Sequence, residues 1–259
     1  MAAINRLDPV FVADSCIGGL SVLKSLWSSG YASEAIFLAD YEINPLGVKD
    51  DAAIAGVVDH WISVAGKHSE TLIMACNTLS IRYRQLQQSG AKLPQIRHVI
   101  SMVDCFEEMV RAESGSLEYK KVLIVGTKYT ASQNILPEIL TKGAPGVQVE
   151  TIAATELERQ VARIEPWDGE TCSVLTSSLR QAIENTDVAV LACTCFPMVA
   201  VELRALFPDT IFLDPGTYCS KLLEKPDGDP AQELELRVTG HVVTEKQAAD
   251  FARSYLSSE

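Results

Sequence analysis

Two segments with the makings of proton chemistry echo each other along the chain, Leu72-Ile73-Met74-Ala75-Cys76-Asn77-Thr78 and Val188-Ala189-Val190-Leu191-Ala192-Cys193-Thr194-Cys195. Each is an apolar run of strand length that ends in Ala-Cys and passes into small hydroxyl or amide residues. In open α/β sheets ligands bind beyond the carboxyl ends of the strands. Two thiols brought there, one from each half of the chain, could take a proton from one side of a carbon and return one on the other. Such a pair must be unequal, with one member ionised and the other protonated. A free cysteine has a pKa near 8.5, so only a few per cent is thiolate at pH 7.

The neighbouring motifs have ordinary readings as well as chemical ones. Asp14-Ser15-Cys16-Ile17-Gly18-Gly19 lies between a strand pattern and a helix pattern. Its glycines could expose amides that favour an anion, while an Asp-Ser helix cap explains the same residues. Asn44-Pro45-Leu46-Gly47 reads as a turn, with a helix beyond it that starts near Asp50. Cys105, Cys172 and Cys219 read as small buried hydrophobes. Cys193-x-Cys195 lacks the spacing and the second ligand pair of a zinc site. The four histidines, at positions 60, 68, 98 and 241, fall outside these motifs, so no metal site is expected.

The elements that must position these residues alternate in kind. Strands are expected at Val10–Ala13, Ala35–Ala39, Thr71–Ala75, His98–Ile100, Val122–Val125, Val147–Thr151, Val188–Ala192, Ile211–Leu213 and from Leu234. Between them run helical patterns, clearest in Ile54, Val57, Val58, Trp61, Ile62 and Ala65, with Asp50 and Asp51 at the start. Thr244 and Gln247 form a capping-box signature ahead of a face of Ala248, Phe251, Ala252 and Tyr255. Alternation of this kind predicts an α/β fold with mostly parallel sheets flanked by helices. Val10-Phe11-Val12-Ala13-Asp14-Ser15 and Val122-Leu123-Ile124-Val125-Gly126-Thr127 open two similar halves. The expected organisation is two pseudo-symmetric lobes, residues 1–98 plus 214–259 and residues 99–213, with the site in the cleft between them.

Composition narrows the partners. The 259 residues carry a formal charge of -12 and no basic stripe, which argues against nucleic acid. No apolar run approaches the roughly 18 residues of a membrane span, and the first residues lack a signal-peptide core. Seven cysteines, an odd number, suit reduced thiols in a cytoplasmic protein better than a disulfide framework.

Taken together, the motifs resemble those of the glutamate racemase family, within the wider aspartate/glutamate racemase superfamily. The family pattern runs DSGxGG, PYGxK, CNTAS, GTxxT and GCTHYP. The chain has Asp14-Ser15-Cys16-Ile17-Gly18-Gly19, Pro45-Leu46-Gly47-Val48-Lys49, Cys76-Asn77-Thr78-Leu79-Ser80, Gly126-Thr127-Lys128-Tyr129-Thr130 and Ala192-Cys193-Thr194-Cys195-Phe196-Pro197 in the same order. The match extends to about Leu256, through the Val243-Thr244 helix start. The resemblance implies a cofactor-independent isomerase that interconverts L- and D-glutamate and supplies the D-isomer for peptidoglycan. It also implies a homodimer and a small amino-acid substrate. Cys76 and Cys193 would be the two bases, with Asp14 assisting Cys76. Ser15, Leu46, Gly47, Asn77, Thr78, Thr127, Thr130, Thr194 and Cys195 would line the substrate site. Glu165 is the candidate for a further family glutamate.

Three positions depart from the pattern. Cys195 stands where the family has histidine, Cys16 where it has glycine, and Leu46 where it has tyrosine. A thiol cannot be a cation near neutral pH as imidazole can, so Cys193 is expected to be the slower of the two bases. Arg163 would read a different acid if it faced inward, though a surface arginine is the ordinary expectation. Two alternatives stay open. One is another chemistry of the superfamily, such as aspartate racemisation or diacid isomerisation or decarboxylation. The other is a binding or regulatory homologue without catalysis, which would have no need of two opposed thiols.

Overall fold

The computed structural model describes residues 9–31, 34–44, 46, 49–165, 174–224 and 232–258. In chain order its first part runs β1 (Val10–Asp14), α1 (Leu20–Ser28), β2 (Ala35–Asp40), α2 (Asp51–Ala65), β3 (Thr71–Met74), α3 (Asn77–Gln88) and β4 (His98–Ser101). The middle part comprises α4 (Met102–Leu117), β5 (Lys121–Gly126), α5 (Lys128–Ala131), α6 (Ile135–Gly143), β6 (Gln148–Ala153) and α7 (Thr155–Ala162). The rest comprises α8 (Ser177–Glu184), β7 (Val188–Ala192), α9 (Ala200–Leu206), β8 (Ile211–Leu213), β9 (Leu234–Thr239) and α10 (Glu245–Ser257). Asp50 caps α2, and Thr244 with Gln247 forms the capping box of α10, as their side chains predict.

The strands form two sheets, ordered β4-β3-β1-β2-β9 and β6-β5-β7-β8. Every pairing in both is parallel. β4 pairs with β3, so the chain leaves the first sheet after Ser101, and it returns as β9 beside β2. Alternate residues of one strand feed different apolar clusters. Val12, Ile73 and Val125 join one, with Leu20 and Leu23 of α1, while Phe11, Leu72 and Ile124 join the other, with Ile54, Val58 and Trp61 of α2. Period-2 alternation with both faces buried is what helices on both sides of a parallel sheet demand. Each fully buried side chain of leucine size stabilises the fold by about 1.5–3 kcal/mol.

Both sheets reverse their winding direction at their centres. In the first, β2 lies on one side of β1 and β3 on the other; in the second, β6 and β7 flank β5 in the same way. A crevice opens at the carboxyl end of such a switch point. The residues just beyond β1 and β3 include Ser15 and Cys76, and those just beyond β5 and β7 include Thr127 and Cys193.

Candidate active site

The first corner of the site is built by the ends of β1 and β3. Asp14 is the last residue of β1 and is fully buried, yet it does not cap a helix. Its Oδ1 accepts the Ser15 amide at 2.6 Å, and its Oδ2 accepts the Thr194 hydroxyl, also at 2.6 Å. The turn Ile17–Gly19 is capped instead by Cys16, whose sulfur accepts from Gly18 N. Burial pushes the Asp14 carboxyl up to about 7, against the Thr194 and Ser15 hydrogen bonds that favour its ionised form. Ser15 Oγ lies 3.4 Å from Asp14 Oδ1 and 3.8 Å from Cys76 Sγ, which places a hydroxyl between the thiol and the carboxyl.

Cys76 occupies the N-cap position of the 12-residue helix α3. Burial, with the nearby Asp14 charge, holds its thiol well above the ordinary cysteine value, while the Leu79 amide of the first helical turn favours the thiolate. At rest this thiol is protonated, and its ionisation needs a base beside it.

The second corner is built by the end of β7. Cys193, Thr194 and Cys195 lead into a 3-10 turn, Phe196–Val199, rather than an α-helix. Cys195 is fully buried, with its sulfur 3.4 Å from Cys16 Sγ. Hydrogen bonds with Cys16 and Cys193, together with burial, hold the Cys195 thiol well above its ordinary value. Cys16 is held down by the Cys195 hydrogen bond but pushed up by burial and Asp14, to about 11. Two of the positions that depart from the family pattern therefore touch each other across the site. Gly18 lets this contact form, because a Cβ there would stand 2.9 Å from Cys195 N and Thr194 Oγ1.

These corners face one pocket with about 320 Å³ of empty space, counting its open mouth. Asp14, Ser15, Cys16, Leu46, Cys76, Asn77, Thr78, Thr127, Cys193, Thr194 and Cys195 all line it, as do Asn44 and Glu158. Thr78 Oγ1 meets Thr127 Oγ1 at 3.0 Å, which ties the two sheets' crevices together. Asn77 Nδ2 is a buried donor without a partner among the described residues. The cysteines among the described residues are free thiols. No lysine, arginine or histidine is among the residues found to line the pocket.

Two expectations, for Thr130 and Glu165, need adjustment. Thr130 does not line the pocket; it stands behind Thr127, whose Oγ1 donates to it at 3.1 Å. Gly47 and Cys172 lie outside the described residues. Glu165 is not in the pocket: the chain leaves α7 through Ile164 at φ 57, a left-handed residue that carries Glu165 to the surface. There it lies 3.9 Å from Arg163, which is half-exposed and also outside the pocket. The glutamate that does reach the pocket is Glu158, in the first turn of α7, which sequence reasoning missed. Burial raises its carboxyl above the usual range, against a hydrogen bond from Asn44. Its spacing from Leu157 and Val161 is that of any polar residue at the edge of an amphipathic helix, so no local signal marks it.

No protein-family model matches the sequence. Curated relatives do. The chain is 28% identical over 222 residues to a glutamate racemase of Photorhabdus laumondii, an alignment that covers 80% of this chain and 71% of the relative. It is 25% identical over 257 residues to a glutamate racemase of Helicobacter pylori, covering 93% and 98%. Among solved structures, a glutamate racemase from Campylobacter jejuni superposes with a TM-score of 0.78 at 23% identity, covering 96% of this chain and 98% of that one. The chain thus resembles the glutamate racemases in sequence and shares their fold.

Proposed function

We propose that the protein is a cofactor-independent amino-acid racemase, with Cys76 and Cys193 as the two bases. The observation that carries this reading is the presence of both thiols on one pocket, each at the switch point of its own parallel sheet. One thiol, ionised, takes the proton from Cα and leaves the electron pair on carbon. The other, protonated, delivers its proton to the opposite face and becomes the thiolate. The two directions of the reaction use the same pair in exchanged roles.

The rest of the pocket supports the cycle. Ser15 bridges Cys76 and Asp14, so Asp14 can accept the thiol proton when Cys76 must ionise. Asn77 Nδ2 offers an unpartnered hydrogen-bond donor suited to a substrate carboxylate, beside the Thr78–Thr127 hydroxyl pair. Glutamate, the substrate in the relatives' names, is the reference substrate. Its product would be D-glutamate, which the family resemblance connects with peptidoglycan.

The test is α-hydrogen exchange in D₂O, started separately from each enantiomer of glutamate and of related amino acids, alongside optical rotation. Racemisation that Cys76→Ala and Cys193→Ala each reduce by about 10³-fold or more supports the proposal. Ligand binding without exchange of any amino acid would make the protein a binding homologue instead.

A further inference from the structure

Three of the pocket's sulfurs form one group. Cys16 Sγ lies 3.4 Å from Cys195 Sγ, and the Cys195 thiol also hydrogen-bonds with Cys193. All three line the pocket. Cys16 follows β1 and the other two follow β7, so the group joins the two sheets. Cys76 lines the same pocket, but the neighbour of its sulfur is the Ser15 hydroxyl at 3.8 Å. Cys105 and Cys219 make another hydrogen-bonded thiol pair. Both are fully buried, and neither is among the residues found to line the pocket.

Thiols in contact are the reactants of a disulfide. To form one, the sulfurs must close to about 2.05 Å and an oxidant must take two electrons. The pocket gives a molecule as small as hydrogen peroxide a route to Cys16, Cys193 and Cys195, and gives it none to Cys105 and Cys219. The sulfur that peroxide attacks first is a thiolate. Cys195 rests protonated, held so by its hydrogen bonds with Cys16 and Cys193 and by burial. Cys193 is the member of the group that the racemase cycle ionises.

We propose that Cys16 and Cys195 are a resolving pair, which returns a peroxide-oxidised Cys193 to the thiol and stores the oxidation as a Cys16–Cys195 disulfide. The inference rests on the racemase reading only in that Cys193 ionises during turnover. The Cys193 thiolate attacks one oxygen of the peroxide, the O–O bond breaks, and hydroxide leaves a sulfenic acid behind. Cys195 attacks that sulfur; an S–S bond forms, the S–O bond breaks, and the thiol proton departs in a water molecule. Cys16 then attacks the Cys195 sulfur and Cys193 leaves as thiolate. The proton from Cys16 neutralises the hydroxide. In sum, two thiols lose two electrons and two protons, and one peroxide becomes two waters. A hydroxyl cannot resolve a sulfenic acid in this way, so Cys76 has no such protection from Ser15.

The experiment treats the reduced, folded wild type with a few equivalents of hydrogen peroxide and quenches it with a thiol-alkylating reagent. Mass spectrometry then maps every cysteine. The main product should be a Cys16–Cys195 cross-link, lighter by two hydrogens, with Cys193 alkylated as a free thiol and Cys105 and Cys219 unlinked. Cys16→Ser should stall at a Cys193–Cys195 disulfide. Cys195→Ser should raise the share of Cys193 found as sulfinic acid by about tenfold at the same dose. Melting temperatures check the folding of both variants. Sulfinic acid at Cys193 of the wild type without the Cys16–Cys195 cross-link overturns the inference without recourse to any variant. A Cys76–Cys193 cross-link as the main product also overturns it, as does oxidation of Cys105 and Cys219 to the same extent. The two readings fail separately. Resolution of Cys193 in a protein that exchanges no Cα hydrogen sustains the inference and defeats the racemase. Racemisation by a protein whose Cys193 oxidises without resolution does the reverse.

Discussion

The ends of β3 and β7 carry the same Ala-Cys pair and yet present different environments to their thiols. After β3 the chain passes directly into the 12-residue helix α3, with Cys76 at its N-cap and the Ser15–Asp14 relay on its other side. After β7 it makes a 3-10 turn, and the neighbour of Cys193 is another thiol, Cys195, itself held protonated by its contacts and burial. A helix N-terminus and a carboxyl near neutrality can both help a thiol ionise and reclaim its proton. A second buried thiol can share a hydrogen bond but offers no charge. Strand ends with the same residues thus acquire different acid–base character from the next stretch of chain and from the residues that the other sheet brings near.

The largest test of this difference removes the relay. Asp14→Asn should slow exchange by about 10²-fold or more in the direction that needs Cys76 as base, and less in the other. The pH profile separates this from misfolding. With its carboxyl at about 7, Asp14 is protonated below that pH and cannot accept a proton, so the wild-type rate should rise through about pH 7 and the variant should lose that limb. Stability moves the opposite way. Asp14 is raised from 3.8 to about 7, so its contribution is greatest at low pH and is lost as pH rises through 7. Melting temperatures of the variant should therefore fall less between pH 4 and 8 than those of the wild type. An unchanged pH–rate profile would detach Asp14 from Cys76.

The next test repairs the weaker corner. Cys195→His supplies a group that can be cationic near neutrality and should speed exchange through Cys193 by about tenfold. The imidazole needs room that the Cys16 sulfur, 3.4 Å from Cys195 Sγ, now fills. Overfilling a tight core costs about 1–3 kcal/mol, so the single variant should melt lower. Cys16→Gly combined with Cys195→His should recover the melting temperature and keep the faster exchange. If the double variant is as slow as the wild type, the inequality of the two thiols has another origin.

Much of this was legible in the sequence, and the exceptions have a common cause. The strands, the caps of α2 and α10 and the two Ala-Cys ends are written in local runs, where alternation, capping residues and strand-length apolar stretches act over a few positions. Local runs do not encode the far side of a contact. Asp14 reads as a helix cap in its own segment, but its second oxygen is taken by Thr194, 180 residues away. Cys16 and Cys195 read as two separate departures, and only the packing of the crevices shows them to be one contact. Glu165 closes a helical run and invites attention, but the left-handed turn at Ile164 exposes it, and the glutamate on the pocket wall is Glu158.

The smallest expected effect tests whether the inequality is local to the two thiols. Thr78 and Thr127 join the crevices through a hydrogen bond of 3.0 Å, and neither belongs to the Ser15–Asp14 relay or to the Cys16–Cys195 contact. Thr78→Val keeps the shape and removes the hydroxyl. A hydrogen bond of this kind contributes about 1 kcal/mol net, or about fivefold in an equilibrium constant. The variant should raise KM about fivefold for both enantiomers, with the ratio of the two exchange rates unchanged. A shift in that ratio would mean that the relative position of the sheets, rather than the residues beside each sulfur, sets which thiol is the better base.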